Sequence, residues 1–147
     1  ARHLVVRVAD ERCALPAEAV RRVVRNLVVY PVPGAAHALL GLAQLGGEPF
    51  PVLDLGLLLG RRSAGSGARR VTVVVHARRS AGDGLIGLAV EEALGVRRVA
   101  GLPEDAGKGD GMVTQVAGDG GPLLLIEPDR IAGSGCGMPD KRTDDDG

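Results

Sequence analysis

Few residues in this sequence could do chemistry, and their spacing says which chemistry to consider. Gly82-x-Gly84-x-x-Gly87 matches the string of a dinucleotide-binding fingerprint. That chemistry needs a strand running straight into the first glycine and a helix opening there, so that a pyrophosphate meets the helix N-terminus. Arg78–Ala81 separates the strand-like Val71–Ala77 from Gly82, and Leu85–Val90 reads more easily as a strand. Gly87 inside a helix would cost about 1 kcal/mol relative to Ala. Gly101–Gly109 has the look of a phosphate loop, but it is one residue too long, and Gly109 stands where Ser or Thr should ligate magnesium. It reads as a surface loop.

Nucleophile and metal chemistry find no pattern. None of Ser63, Ser66, Ser80 and Ser134 sits in a G-x-S-x-G elbow. His3, His37 and His76 stand singly, and neither H-x-x-x-H nor C-x-x-C occurs. No metal site, catalytic group or cofactor is therefore predicted. Cys13 looks strand-borne and Cys136 lies in a Gly-rich tail. A disulfide between them is open but unforced, and a reduced, cytoplasmic protein is the expectation. Asp144–Asp146 reads as a solvated acidic run. Arginine recurs in pairs at Arg21-Arg22, Arg61-Arg62, Arg69-Arg70, Arg78-Arg79 and Arg97-Arg98. Most pairs lie at turns, where charge is simply solvated, and Arg61–Arg70 reads that way. For Arg21-Arg22, solvated charge and a surface for an acidic partner stay equally open, since Arg is enriched in protein interfaces.

Composition narrows the function classes further. The 147 residues suffice for one domain with a real core, or for two very small subdomains sharing one. Formal net charge is zero, so no global field attracts nucleic acid or an anionic membrane. Tyr30 and Phe50 are the sole aromatics, which removes stacking platforms for single-stranded nucleic acid. No apolar run approaches the ~18 residues that span a bilayer, so direct membrane insertion is not expected.

The elements that must position any site are short strands. His3–Val8 reads as a strand, Ala9-Asp10-Glu11 as a turn, and Arg12–Leu15 as its hairpin partner. Pro16 opens a helical turn at its first position, with Ala17–Val23 a short helix or turn. Tyr30-Pro31-Val32-Pro33-Gly34 is a rigid connector. From Gly41 to Gly60 the chain reads strand, tight turn at Gly46-Gly47, strand, then a short helix capped by Asp54 and stopped at Gly60. Pro49 and Pro51 cannot donate to a ladder, so the Phe50–Leu53 strand lies at an edge or turns its nitrogens from its partner. Val71–Ala77 and Leu85–Val90 pair across an Arg78–Gly84 turn, and Glu91–Val99 is ambiguous between helix and strand. Gly101–Gly111 is a loop, Met112–Val116 and Leu123–Ile126 form a last hairpin, and Pro128–Ile131 fits a short helix. Gly133–Gly147 is low in apolar residues and is expected to be disordered. Nine or ten short strands at this spacing predict an all-β barrel or sandwich with short helices, and no internal repeat is evident.

The order G-x-x-x-L-x-G, then P-V-L-D-L and a closing L-G, resembles the signature hairpin of the CheW family of bacterial chemotaxis adaptors. An A-L-P turn, a Val-x-x-Val segment and V-P-G upstream strengthen the likeness, which runs from about Leu4 to Ile131. The resemblance implies two small SH3-like five-stranded β-barrels packed together, in a domain over residues 1–132 with a tail over 133–147. It implies a non-enzymatic adaptor that couples the signalling tip of a chemoreceptor to the regulatory domain of a CheA-type histidine kinase. Carried over by position, the partner-facing residues are Val20, Arg22, Val23, Gly41, Leu42, Leu45, Gly46 and Gly47, with Gly87, Val90, Ala93 and Val96 from the second half. Family hairpins commonly read N-L-R-G, whereas here Gln44-Leu45-Gly46-Gly47 lacks the arginine. Upstream, Arg22 stands where Glu is common. These departures imply a kept fold with a shifted choice of partner. Two other readings remain: a paralogue that binds the kinase but no receptor, and a small-ligand barrel or nucleotide-binding enzyme using Gly82–Gly87.

Overall fold

The computed structural model describes residues 2–64, 70–79, 82–99, 113–118 and 121–133. Val- and Leu-rich runs broken by Gly, Pro and Asp form ten strands and two short helices among them. In order these are β1 (Arg2–Val8), β2 (Glu11–Pro16), a 3₁₀ turn (Ala17–Ala19), β3 (Val20–Arg25), β4 (Leu39–Ala43), β5 (Phe50–Asp54), α1 (Leu55–Leu58), β6 (Val71–Arg79), β7 (Gly82–Val90), β8 (Glu92–Arg98), β9 (Val113–Gly118), β10 (Gly121–Ile126) and α2 (Pro128–Gly133).

The strands make two five-stranded sheets, ordered β8-β1-β2-β10-β9 and β3-β6-β7-β5-β4. The N-terminal hairpin therefore completes the sheet of the C-terminal strands, and the halves of the chain interlock. The two sheets share one topology under circular permutation. Replacing β3, β4, β5, β6 and β7 by β8, β9, β10, β1 and β2 turns the second order into the first. The match extends to pairing sense, since β5 runs parallel to β7 as β10 does to β2. It extends to irregularities too: β3 slips register against β6 between Val20 and Arg22, and β8 slips against β1 in the same place, between Ala93 and Gly95. Val23 opposite Val73 thus corresponds to Val96 opposite Leu4.

The core follows the same plan. A central cluster takes Leu4, Val6, Val8 and Leu15 from one sheet and Val73, Val75, Ile86 and Leu88 from the other. Leu55 of α1 and Ile131 of α2 plug it. Each sheet turns its opposite face to a smaller cluster, built on Phe50, Val52 and Val74 in one and on Leu123, Leu125 and Val5 in the other. In strands successive side chains alternate between faces, so each sheet buries both faces and its strands read as continuous apolar runs.

Neither sheet closes by direct pairing of its edge strands. In the second sheet the chain after β3 curves across the gap, and Tyr30 pairs with Leu42 of β4 through hydrogen bonds of 2.8 and 2.9 Å. The all-β, SH3-like expectation holds in this form.

Several local readings are corrected. Val20–Val23 is strand, not helix, and only Ala17–Ala19 makes a helical turn, with Pro16 as its cap residue. Three valines with exposed arginines suit an edge strand better than a helix, because β-branched side chains lose freedom against a helical turn. The tight turn at Gly46-Gly47 is a six-residue loop, since β4 and β5 close with Ala43 opposite Phe50. β5 lies inside its sheet rather than at an edge. Its pairing with β7 begins only at Val52, past Pro51, which faces Leu42 on the other side. Glu92–Arg98 is strand, and β6 and β7 extend through Arg79 and from Gly82. Residues 65–69 of the expected Arg61–Arg70 loop, the expected loop at 101–111, Cys136 and all but the first residue of the expected 133–147 tail lie outside the described residues.

Candidate functional site

Asp54 organises the signature hairpin. Its carboxylate is fully buried and accepts from Leu57 N (3.1 Å), Ala64 N (2.9 Å) and the Ser63 hydroxyl (2.6 Å). One side chain thus caps α1 and pins the returning loop. Gly60, at φ +72°, ends the helix. In the permuted sheet Glu127 holds the same place before α2. Burial pushes its carboxyl up, and the nearby Asp129 charge acts in the same direction.

The expected partner-facing residues separate into three groups. Val20, Val23, Ala93 and Val96 occupy matching positions of the two sheets. Val20 and Ala93 are half-buried against the central core at matching positions of β3 and β8. Val23 and Val96, at matching positions further along, are 46% and 56% exposed. These are the exposed large apolar side chains of the two edge strands. Arg22 is exposed beside Val23.

The β4–β5 loop supplies the second group. Leu42 and Leu45 are half-buried, and Gly46 and Gly47 are exposed with open space where a Cβ would stand. Gln44 donates to the Gly47 carbonyl across the loop. Gly46 sits at φ +76°, a left-handed conformation that costs other residues about 1–2 kcal/mol. The missing family arginine therefore goes with a backbone that favours glycine.

The third group is internal. Val90 is 0% exposed in the central core. Gly41 is buried against the Tyr30 backbone, and Gly87 is buried where a Cβ would stand 2.9 Å from Thr72 Cγ2 and 3.2 Å from Val52 Cγ2. These three position the sheet and offer no side-chain surface. Two exposed apolar residues were missed, Val28 and Tyr30, at 63% and 68% exposure. The signal was available, since Tyr30 is the single tyrosine and opens the Pro31-Val32-Pro33 connector.

Gly82, Gly84 and Gly87 all lie within β7, paired with Arg79, Ala77 and Val74 of β6. The fingerprint is a strand, no helix opens at it, and no phosphate cradle forms. Among the described residues no cluster of three or more His, Cys, Asp or Glu could hold a metal. Cys13 is buried, and burial pushes its thiol up to about 12, so it is no nucleophile. Arg61 and Arg62 are not loose charge. Arg61 Nε meets Glu11 at 2.7 Å and Arg62 Nη1 meets Asp10 at 3.0 Å, which holds the Asp10 carboxyl below its usual range. Arg7 pairs with Glu91 and Glu92.

The family model of the CheW-like domain matches residues 2–135. The chain belongs to the CheW-like family. The match runs beyond the expected boundary at 132. The fold agrees with the scaffolding protein TtCheW from Thermoanaerobacter tengcongensis, with a TM-score of 0.68 at 17% identity over 87% of this chain and 89% of that one. No curated protein sequence matches the chain. CheW-like membership makes this protein a non-enzymatic chemotaxis scaffold. No helix among the described residues is long and apolar enough to cross a membrane.

Proposed function

We propose that this CheW-like protein couples chemoreceptor signalling tips to a CheA-type histidine kinase in the cytoplasm, by protein–protein contacts alone. The observation that carries the reading is the family match over nearly the whole described chain. The geometry supports it. Rigid β scaffolds bind through a few packed anchors, and exposed valines on two matching edge strands are such anchors. The receptor contact would involve Val20, Val23 and the Leu42–Gly47 loop from one sheet with Ala93 and Val96 from the other. Gly46 and Arg22 would redirect that contact, because they remove one family charge and reverse another.

The test is capture of purified receptor signalling-tip fragments and of the kinase regulatory domain, each alone and both together. A ternary complex that needs this protein supports the coupling role. Capture of the kinase without the receptor would make it a kinase-binding paralogue. Capture of neither would remove the adaptor reading.

A further inference from the structure

Arg7, Arg61 and Arg62 each meet a carboxylate. Arg22 and Arg25 of β3 are exposed and meet none among the described residues, and Arg21 reaches only the Glu18 carbonyl at 2.8 Å. Among the described residues β3 is also an edge, paired with β6 alone, and its outer backbone groups have no strand partner there. Beyond the bulge at Arg21 it presents the run Arg22-Val23-Val24-Arg25.

We propose that this edge takes an extended acidic segment of a partner protein, added as a further strand alongside Arg22–Arg25. Cross-strand neighbours share a face and lie close enough to pair, so the register dictates the partner's pattern. Carboxylates belong opposite Arg22 and Arg25, and apolar side chains opposite Val23 and Val24. The complementary pattern is Glu-Val-Val-Glu, which reads the same in a parallel or an antiparallel strand. A bulge limits an added strand to the regular stretch after it, which is these four residues. The same palindrome argues against a second copy of this chain. Antiparallel β3 on β3 places Arg22 opposite Arg25 twice, and like charges directly opposite one another destabilise a sheet. Basic edges are a known defence against self-pairing, and here that defence selects a partner of opposite sign. This inference goes beyond the adaptor reading and does not depend on it.

The test uses the full chain and two labelled, end-blocked synthetic peptides carrying Glu-Val-Val-Glu or Lys-Val-Val-Lys between Ser-Gly flanks, read by fluorescence anisotropy at low salt. The acidic peptide should bind saturably and weaken as salt is raised. Arg22→Glu with Arg25→Glu should weaken it at least about tenfold and confer binding of the lysine peptide. Arg97→Glu with Arg98→Glu, on the matching strand β8, should change it less than about twofold. Circular dichroism checks that each variant keeps its sheet signal. Absence of saturable binding, equal binding of both peptides, or an equal loss from the β8 variant would overturn the proposal. Titration of the same proteins with the kinase regulatory domain separates the outcomes: kinase binding without peptide binding removes this inference and leaves the adaptor reading intact.

Discussion

Gly41 lies with its missing side chain aimed at the Tyr30 carbonyl: a Cβ there would stand 2.2 Å from the Tyr30 oxygen and 2.6 Å from its carbon. Tyr30 and Leu42 exchange two backbone hydrogen bonds one residue away, so this approach bridges the open side of the second sheet. Gly41 also holds φ +151°. The signature glycine is thus a closure position, placed by the fold before it is seen by any partner.

Replacing it should cost the fold. Gly41→Ala is expected to lower stability by about 2–4 kcal/mol, as overpacking against backbone does. Gly47→Ala, in open space on the β4–β5 loop, should stay within about 0.5 kcal/mol. Urea denaturation of the two variants checks the contrast.

Asp54→Ala should be among the most damaging single changes. It leaves the N–H groups of Leu57 and Ala64 without their acceptor, one of them in a buried setting. A loss of about 2–4 kcal/mol is expected from the cap and the unsatisfied donors together. Asp54→Asn should recover part of it, because one oxygen acceptor remains. Equal stability of the wild type and Asp54→Ala would contradict the role given to this carboxylate.

These elements show what was legible in the sequence. The Asp54 cap and the Gly60 stop could be read because caps are local chemistry. Most strands could be read because their apolar runs are short and bounded by Gly, Pro and Asp. Val20–Val23 could not, since Pro16 and Ala17–Ala19 do start a helical turn and only pairing with β6 makes the next residues a strand. The internal repeat escaped because it is permuted: β1 and β2 open the chain but occupy the places of β6 and β7. A linear comparison of halves never aligns them. Of the site, the family pattern marked Val23 and Val96 together with Val90, Gly41 and Gly87, and only burial separates the exposed side chains from the packed positions.

Cys13 should resist a thiol reagent in the native protein and react only as the protein unfolds. Its folded thiol is pushed up from the ordinary 9.0 to about 12, chiefly by burial and secondly by the Glu11 charge. A raised folded value means that the neutral thiol's contribution to stability is whole below pH 9.0 and is lost as pH rises toward 12. Labelling kinetics across urea concentrations should follow the global unfolding equilibrium. Fast labelling in native buffer at pH 8 would contradict the burial.

Gly46→Arg restores the family's hairpin charge onto a left-handed residue. The variant should fold and lose about 1–2 kcal/mol, since an L-residue at φ +76° is strained while the surrounding space is open. If Gly46 redirects the partner, this variant should bind a conventional receptor tip more tightly than the wild type despite its lower stability. Equal receptor binding by the two would contradict the redirected contact.

The central claim is that this CheW-like chain is an adaptor for a CheA-type kinase. Isothermal titration of the full chain with the kinase's CheW-like regulatory domain from the same organism tests it most directly. The account predicts saturable binding of one domain to another. A folded β protein that releases no binding heat at any of several temperatures, and co-elutes with no kinase domain, would contradict it.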